Sequence, residues 1–95
     1  MGIDQIITKL ADIARLDAKL ERLAIEIGHK SNNHILAKSP NGLAAAYMYL
    51  AAILLGVNLS QIDLPNMAGV TEVTVRSRCN DILIGFKLTI KVRPL

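Results

Sequence analysis

The sequence predicts an all-α fold, in which a bundle of helices surrounds one buried central helix. Apolar residues recur at spacings of three and four over residues 3–27, as they do on one face of a helix. Residues 43–57 are all apolar, tyrosine or glycine, so a helix there must be covered on every side. The 95-residue chain is 52% hydrophobic and only 3% aromatic, and its abundant Ala, Leu and Ile favour helices over a sandwich or barrel. This length suits a single domain, residues 1–95.

Two amphipathic helices open the chain. The first apolar stripe runs from Ile3 to about residue 15, and Asp17 then has the chemistry of an N-cap for the second helix. The second stripe continues to Ile27, and Gly28 is expected to end that helix. The polar residues 29–33 are expected to form a loop.

The central helix is predicted to begin at Ser39, the N-cap, with Pro40 in the first helical position. Its apolar stretch, residues 43–57, is fifteen residues long. A helix needs about 20 apolar residues to cross a bilayer. Burial inside a globular bundle is therefore favoured over a membrane span.

A short helix is predicted after the central one. Ser60 and Asp63 have the spacing of a capping box, with Asp in place of the usual Glu. The helix is expected to end near Met67, and Gly69 should break it. Pro65 falls inside this helix, where it would remove one backbone hydrogen bond and kink or shorten the helix.

The last helix is predicted to start at Thr71, its N-cap, and to stop at Gly85. With the short helix and the turn before it, this helix forms a predicted helix-turn-helix over residues 60–84. Residues 86–95 then alternate between apolar and polar, which predicts an extended tail lying over the bundle with its basic face outward.

The last helix combines an inward apolar face with a mixed outer one. Val75, Cys79 and Ile82 share the face that is predicted to enter the core. The opposite face carries Val73, Arg76, Ser77 and Asn80. An arginine can donate twice to guanine O6 and N7, and an aliphatic side chain can touch the thymine methyl group. The face therefore suits the major groove of duplex DNA, although a solvated amphipathic helix has the same spacing.

Phosphate contacts are expected beside this face. The hydroxyls of Thr71 and Thr74, together with the N-terminus of the helix, are suited to hold a phosphate. Arg78 points away from the base-reading face and is suited to a backbone phosphate. Ser77 and Asn80 add supporting contacts to bases or phosphates.

The net charge of +3 is concentrated near the C-terminus. Residues 1–68 hold equal numbers of acidic and basic side chains, so the whole excess lies in residues 69–95. There Lys87, Lys91 and Arg93 are expected to add non-specific attraction. A basic segment indicates an acidic partner, with nucleic acid the first choice and a merely solvated basic surface the alternative.

Other classes of function find no support in the sequence. The single cysteine, Cys79, excludes an intramolecular disulfide and a cysteine-based zinc site, and is expected to be a small core residue. His29 and His34 are more typical of a solvated loop than of a metal site. No nucleophilic triad or glycine-rich phosphate loop is present, so the sequence predicts no enzyme, metal or cofactor. With no signal-peptide pattern, an intracellular compartment is expected.

Two segments resemble the second cyclin-like repeat of archaeal transcription factor B, the counterpart of eukaryotic transcription factor IIB. They are residues 39–46, SPNGLAAA, followed by Tyr49, and residues 68–76, AGVTEVTVR. The likeness covers nearly the whole chain. It implies a five-helix cyclin-like fold that docks on the TATA-binding protein–promoter complex. It also implies that the helix-turn-helix reads the B-recognition element, just upstream of the TATA box.

The resemblance also implies residue roles and partners. The family's base-reading valine and arginine fall on Val73 and Arg76 of this chain. The implied partners are double-stranded promoter DNA, TATA-binding protein and, through other parts of the full-length factor, RNA polymerase. The implied location is the archaeal cytoplasm, in association with the nucleoid and without a membrane.

Three departures from the family stand out. Pro65 replaces a small residue and puts the pose of the reading helix in question, and Cys79 replaces an aromatic one. The family's zinc ribbon, linker and first repeat are absent from these 95 residues, which indicates an excised domain or a divergent short relative.

A function of another class stays open beside promoter binding. Cyclin folds also serve as docking surfaces, and Val73 with neighbouring Ala and Tyr residues could contact a helix of a partner protein. DNA binding through several phosphates should weaken steeply with salt, whereas an apolar protein interface should not.

Overall fold

The computed structural model describes residues 2–31, 39–59 and 61–86, and over these ranges the chain is helical with no strand. Five helices follow one another: α1 (Ile3–Ile13), α2 (Ala18–Ser31), α3 (Pro40–Leu55), α4 (Leu64–Ala68) and α5 (Glu72–Gly85). The prediction of an all-α, five-helix fold is confirmed. The predicted extended tail lies outside the described residues beyond Phe86, as does His34.

α3 is the centre of the bundle. Every residue from Gly42 to Ala52 is buried, and α1, α2, α4 and α5 all pack against this helix. Five of the buried residues are alanines, which let the surrounding helices approach closely from several sides. The composition of residues 43–57 thus predicted the buried centre of the bundle correctly as far as Ala52, whereas Leu54, Leu55 and Val57 are exposed. No helix of the described ranges is long and apolar enough to span a membrane.

α2 corrects the expectation that Gly28 ends the second helix. The helix continues to Ser31, and Gly28 is buried inside it. A Cβ atom added at Gly28 would lie 3.1 Å from the Cδ2 and Cε2 atoms of Tyr47. The glycine therefore allows α2 to approach the tyrosine ring of α3, and its role is close packing rather than helix termination. The Ser31 hydroxyl donates a hydrogen bond to the Tyr47 hydroxyl at 3.1 Å.

Three helix starts follow the predicted capping chemistry. Asp17 lies one residue before α2 begins, and its carboxylate accepts a hydrogen bond from the Lys19 amide at 2.8 Å. Ser39 caps α3, with Pro40 in the first turn. Thr71 caps α5 by accepting from the Thr74 amide at 3.1 Å. Each cap satisfies an amide that has no partner within its own helix.

α4 differs from the prediction at its start. Its N-cap is Asp63, whose carboxylate accepts from the Asn66 amide at 3.3 Å, whereas Ser60 lies outside the described residues. Pro65 is consequently the second residue of α4, in the first turn, where a backbone amide has no helical partner to lose. The expected loss of a backbone hydrogen bond is therefore wrong, although α4 is shorter than predicted because it begins at Leu64. α4 ends at Ala68, and its C-cap is Gly69, whose φ of 72° is in the left-handed region that glycine tolerates.

Candidate nucleic-acid interface

The inner face of α5 anchors the helix in the core. Val75, Cys79 and Ile82 are all buried, as the sequence predicted. The Cys79 thiol donates to the Ala46 carbonyl of α3 at 3.7 Å, and burial raises the pKa of this thiol to about 12. Cys79 is thus a protonated core residue at neutral pH. Because the thiolate is the reactive form of cysteine, we expect this thiol not to react as a nucleophile.

The outer face of α5 presents the predicted base-reading residues together. The Val73 side chain is 75% exposed, the highest value among the large hydrophobic residues of the described ranges. Arg76 lies one turn further along the same face, and Asn80 one turn beyond Arg76. The face therefore carries an exposed aliphatic group and an arginine at neighbouring positions on one helix.

Arg76 is engaged by an acidic residue of its own helix. Its Nη2 atom donates to the Glu72 Oε1 atom at 2.9 Å. Its Nε atom is buried and has no hydrogen-bond partner. Glutamate four positions before arginine on a helix is a known stabilising spacing, so this pair could have been predicted from the sequence.

Arg78 lies on a different flank of α5. Its side chain is only 17% exposed, and its Nη2 atom donates to the Ser77 hydroxyl at 2.9 Å. Its Nε atom lies 3.4 Å from the Asp81 Oδ2 atom, an ion pair without a hydrogen bond. Arg76 and Arg78 therefore do not form one basic cluster, which agrees with the prediction that Arg78 points elsewhere.

The first turn of α3 lies against the start of α5. A Cβ atom added at Gly42 would lie 3.1 Å from the Thr74 Cγ2 atom and 3.6 Å from the Arg78 Cγ atom. Glycine at this position therefore allows the two helices to approach each other. Thr71 and Thr74 share a hydroxyl–hydroxyl contact of 3.0 Å at the N-terminal end of α5. The close approach of Gly42 to Thr74 was not predicted from the sequence.

Within the described residues, α5 carries no excess of positive charge. Glu72 and Asp81 balance Arg76 and Arg78, and each acidic residue is paired with one of the arginines. The C-terminal charge excess found in the sequence belongs to Lys87, Lys91 and Arg93, which lie outside the described residues. The exposed face of α5 is thus better suited to read base edges than to bind phosphates by charge alone.

An apolar groove of about 220 Å³ lies between α2, α3 and α5, away from the base-reading face. Its apolar lining includes Leu23, Ile27, Leu50, Leu54, Leu83 and Phe86. Glu26 and Lys30 form an ion pair at its edge, with 2.9 Å between Oε1 and Nζ. This surface is the part of the described chain that best fits the alternative of a protein-interaction module.

No metal centre is formed by the described residues. They contain no group of three or more histidine, cysteine, aspartate or glutamate side chains that could hold an ion. His29 contacts the carboxylate of Asp4, with 2.6 Å between the His29 Nε2 atom and the Asp4 Oδ2 atom. This contact joins the C-terminal part of α2 to the start of α1.

The family match and the individual relatives of this chain agree with each other. Residues 3–83 match the protein family described as "Transcription factor TFIIB repeat". Similar proteins named "Transcription initiation factor IIB" include one from Pyrococcus horikoshii, 42% identical over 88 residues, which cover 88% of this chain and 29% of that protein. The protein from Pyrococcus furiosus is 38% identical over 88 residues, which cover 90% and 29% of the two chains. The protein from Pyrobaculum islandicum is 37% identical over 89 residues, which cover 92% and 27%. The chain thus spans less than a third of the length of the curated relatives it matches.

Proposed function

We propose, because this chain belongs to the family of transcription factor TFIIB repeats, that it is the promoter-binding part of a general transcription initiation factor. The family consists of initiation factors and not of enzymes. Within it, we assign the chain to the second, C-terminal cyclin-like repeat, on the motif of residues 68–76. Its partners are promoter DNA and TATA-binding protein, with RNA polymerase contacted through other parts of the full-length factor. The proposed location is the archaeal cytoplasm, at the nucleoid.

One observation carries the proposal. The outer face of α5 presents an exposed Val73 and a half-exposed Arg76 one turn apart, while the inner face is fixed in the core. A helix held in this way can enter a major groove without rearranging the bundle. Arg76 then donates to guanine and Val73 contacts a thymine methyl group, in the B-recognition element upstream of the TATA box.

Supporting contacts come from the rest of the proposed helix-turn-helix, residues 60–84. Thr71, Thr74, Ser77, Arg78 and Asn80 contact phosphates or base edges. Because α5 itself is balanced in charge, non-specific attraction falls to Lys87, Lys91 and Arg93. With so few phosphate contacts, the chain alone should bind DNA only weakly, at about 10⁻⁴–10⁻⁶ M, and TATA-binding protein should strengthen the complex.

Fluorescence anisotropy tests the proposal directly. One labelled duplex keeps the purine-rich element upstream of a TATA box, and the other has this element scrambled. Each is titrated at several salt concentrations, with and without TATA-binding protein from an archaeal relative. Arg76→Ala should cost about 1–3 kcal/mol on the intact element and remove the preference for it. Binding of both duplexes by Arg76→Ala as tightly as by wild type would refute base reading.

The second candidate is a cyclin-fold module that binds another protein, and the apolar groove of α2, α3 and α5 favours it. Exposed Leu54, Leu55 and Val57 extend the apolar surface at the end of α3. Equal or absent binding of both duplexes, even with TATA-binding protein, would support this candidate. A complex that withstands high salt would point the same way, because apolar contacts are insensitive to screening.

A further inference from the structure

The ion pair between Glu72 and Arg76 lies on the proposed base-reading face. The two side chains are about equally accessible, 46% exposed for Glu72 and 42% for Arg76. Glu72 is the first residue of α5, next to the exposed Val73. A DNA duplex seated on this face would therefore meet a carboxylate beside the arginine, and a carboxylate opposes approach of the phosphate backbone.

The pair restrains Arg76 without using up its donors. A guanidinium group has five N–H donors, and the carboxylate of Glu72 occupies one of them on Nη2. The Nε atom is buried. Within the described residues, no partner holds the protons of Nη1 or the second proton of Nη2, and donors at the end of a guanidinium group can bond guanine O6 and N7. Glu72 thus holds the guanidinium group while leaving its base-reading edge open.

We propose that Glu72 is a positioning residue that sets sequence specificity through Arg76. This inference rests on the proposed function. On the right sequence, Arg76 keeps its bond to Glu72 and reads a base with its remaining donors. On a wrong sequence, Arg76 gains only by turning to a phosphate, which breaks its bond to Glu72 and brings the negatively charged backbone of the DNA close to a carboxylate. Glu72 therefore weakens non-specific binding more than specific binding.

Glu72→Gln tests this role, because glutamine has the same length and can still accept a hydrogen bond but carries no charge. Binding is measured by anisotropy on the intact and the scrambled duplex, in the presence of TATA-binding protein. We expect the scrambled duplex to gain affinity about two- to fivefold, which corresponds to the strength of an exposed ion pair. The intact duplex should gain less or lose affinity, so the ratio of the two affinities falls.

Glu26→Gln is the matched control. Glu26 pairs with Lys30 at the same spacing of four residues and the same distance of 2.9 Å, but on α2 and at the edge of the apolar groove. Glu26→Gln makes the same change in net charge as Glu72→Gln, but at a site away from the proposed reading face. Glu26→Gln should shift both duplexes by the same factor and leave the affinity ratio at the wild-type value.

The Arg76→Ala background separates this inference from the proposed function. If Glu72 acts through Arg76, Glu72→Gln in that background should change both duplexes by the same factor. A preference in wild type that Arg76→Ala removes, with an unchanged ratio in Glu72→Gln, would overturn the role of Glu72 and leave base reading intact. If wild type itself shows no preference, the proposed function fails, and the role of Glu72 fails with it. Circular dichroism melts of each variant confirm that the bundle is folded.

Discussion

α3 and α5 are helices of similar length that pack against each other, 16 and 14 residues long, yet their surroundings differ. α3 is buried on every side from Gly42 to Ala52, whereas α5 buries one face and exposes the other. The difference in burial indicates that the two helices have different roles. α3 holds the bundle together, and α5 uses that support to present a mixed surface outward.

The largest expected effect compares one residue from each helix. Leu43→Ala in α3 should lower the free energy of unfolding by about 2–5 kcal/mol, because it removes buried methyl groups and leaves a cavity. Val73→Ala on the exposed face of α5 should change it by no more than about 0.5 kcal/mol. Urea denaturation measures both. A loss for Val73→Ala comparable with that for Leu43→Ala would mean that the outer face of α5 is covered.

The free energy of unfolding should depend on pH through Cys79, on the inner face of α5. Because burial raises the pKa of Cys79 from 9.0 to about 12, the folded state favours the protonated thiol. The stability that this provides is fully present below pH 9 and is lost as the pH rises toward 12. At pH 10.5 the loss should reach about 2 kcal/mol relative to pH 8. Cys79→Val should lack this part of the slope, and identical slopes for both proteins would show that the thiol is accessible to water.

Two glycines give the next comparison. Gly28→Ala should lower the free energy of unfolding by about 1–2 kcal/mol, because its Cβ meets the buried, hydrogen-bonded Tyr47 ring at 3.1 Å. For Gly85, at the end of α5, an added Cβ would meet no atom of the described residues within 4 Å beyond its chain neighbours and its own helix backbone. Gly85→Ala should therefore stabilise the protein by up to about 1 kcal/mol. Thermal melts of the two variants measure this. Stabilisation by both would mean that α2 is free to move away from α3.

Pro65→Ala should have the smallest effect. A proline in the middle of a helix costs about 3 kcal/mol, so its removal there would stabilise the protein. In the first turn of α4 no backbone bond is lost, and alanine should instead destabilise by about 0.5–1 kcal/mol through a more flexible unfolded chain. Urea midpoints of the variant and wild type decide this. A stabilising effect would place Pro65 within the helix, and the pose of α5 would need revision.

The sequence predicted most of the fold because its local signals were strong. The apolar run that begins at Leu43 predicted a buried central helix, and Ser39, Asp17 and Thr71 have side chains that cap helices. Gly28 and Pro65 were misjudged because glycine and proline suggest breaks in a helix. The effect of Gly28 depends on the neighbouring helix α3, which no local pattern predicts. The effect of Pro65 depends on where α4 begins, and Asp63 rather than Ser60 is the cap that sets this start.

The features of the candidate site also differ in whether the sequence could predict them. Val73 and Arg76 could be placed on one outward face from helical periodicity, and their assignment as base readers came from the resemblance to transcription factor B. The ion pair between Glu72 and Arg76 could have been predicted from their spacing of four residues on one helix, but it was not predicted. The contact of Gly42 with Thr74 joins positions 32 residues apart, so no local pattern predicts it.

The sequence by itself determined which segments are helical, that α3 is the buried centre, and which face of α5 is turned outward. These features follow from periodicity and capping, which act over a few residues. Only the tertiary structure decided that Gly28 allows α2 to approach the Tyr47 ring and that Gly42 allows α3 to approach Thr74. Such features depend on close approach between helices distant in sequence, where a few tenths of an ångström decide whether a side chain fits.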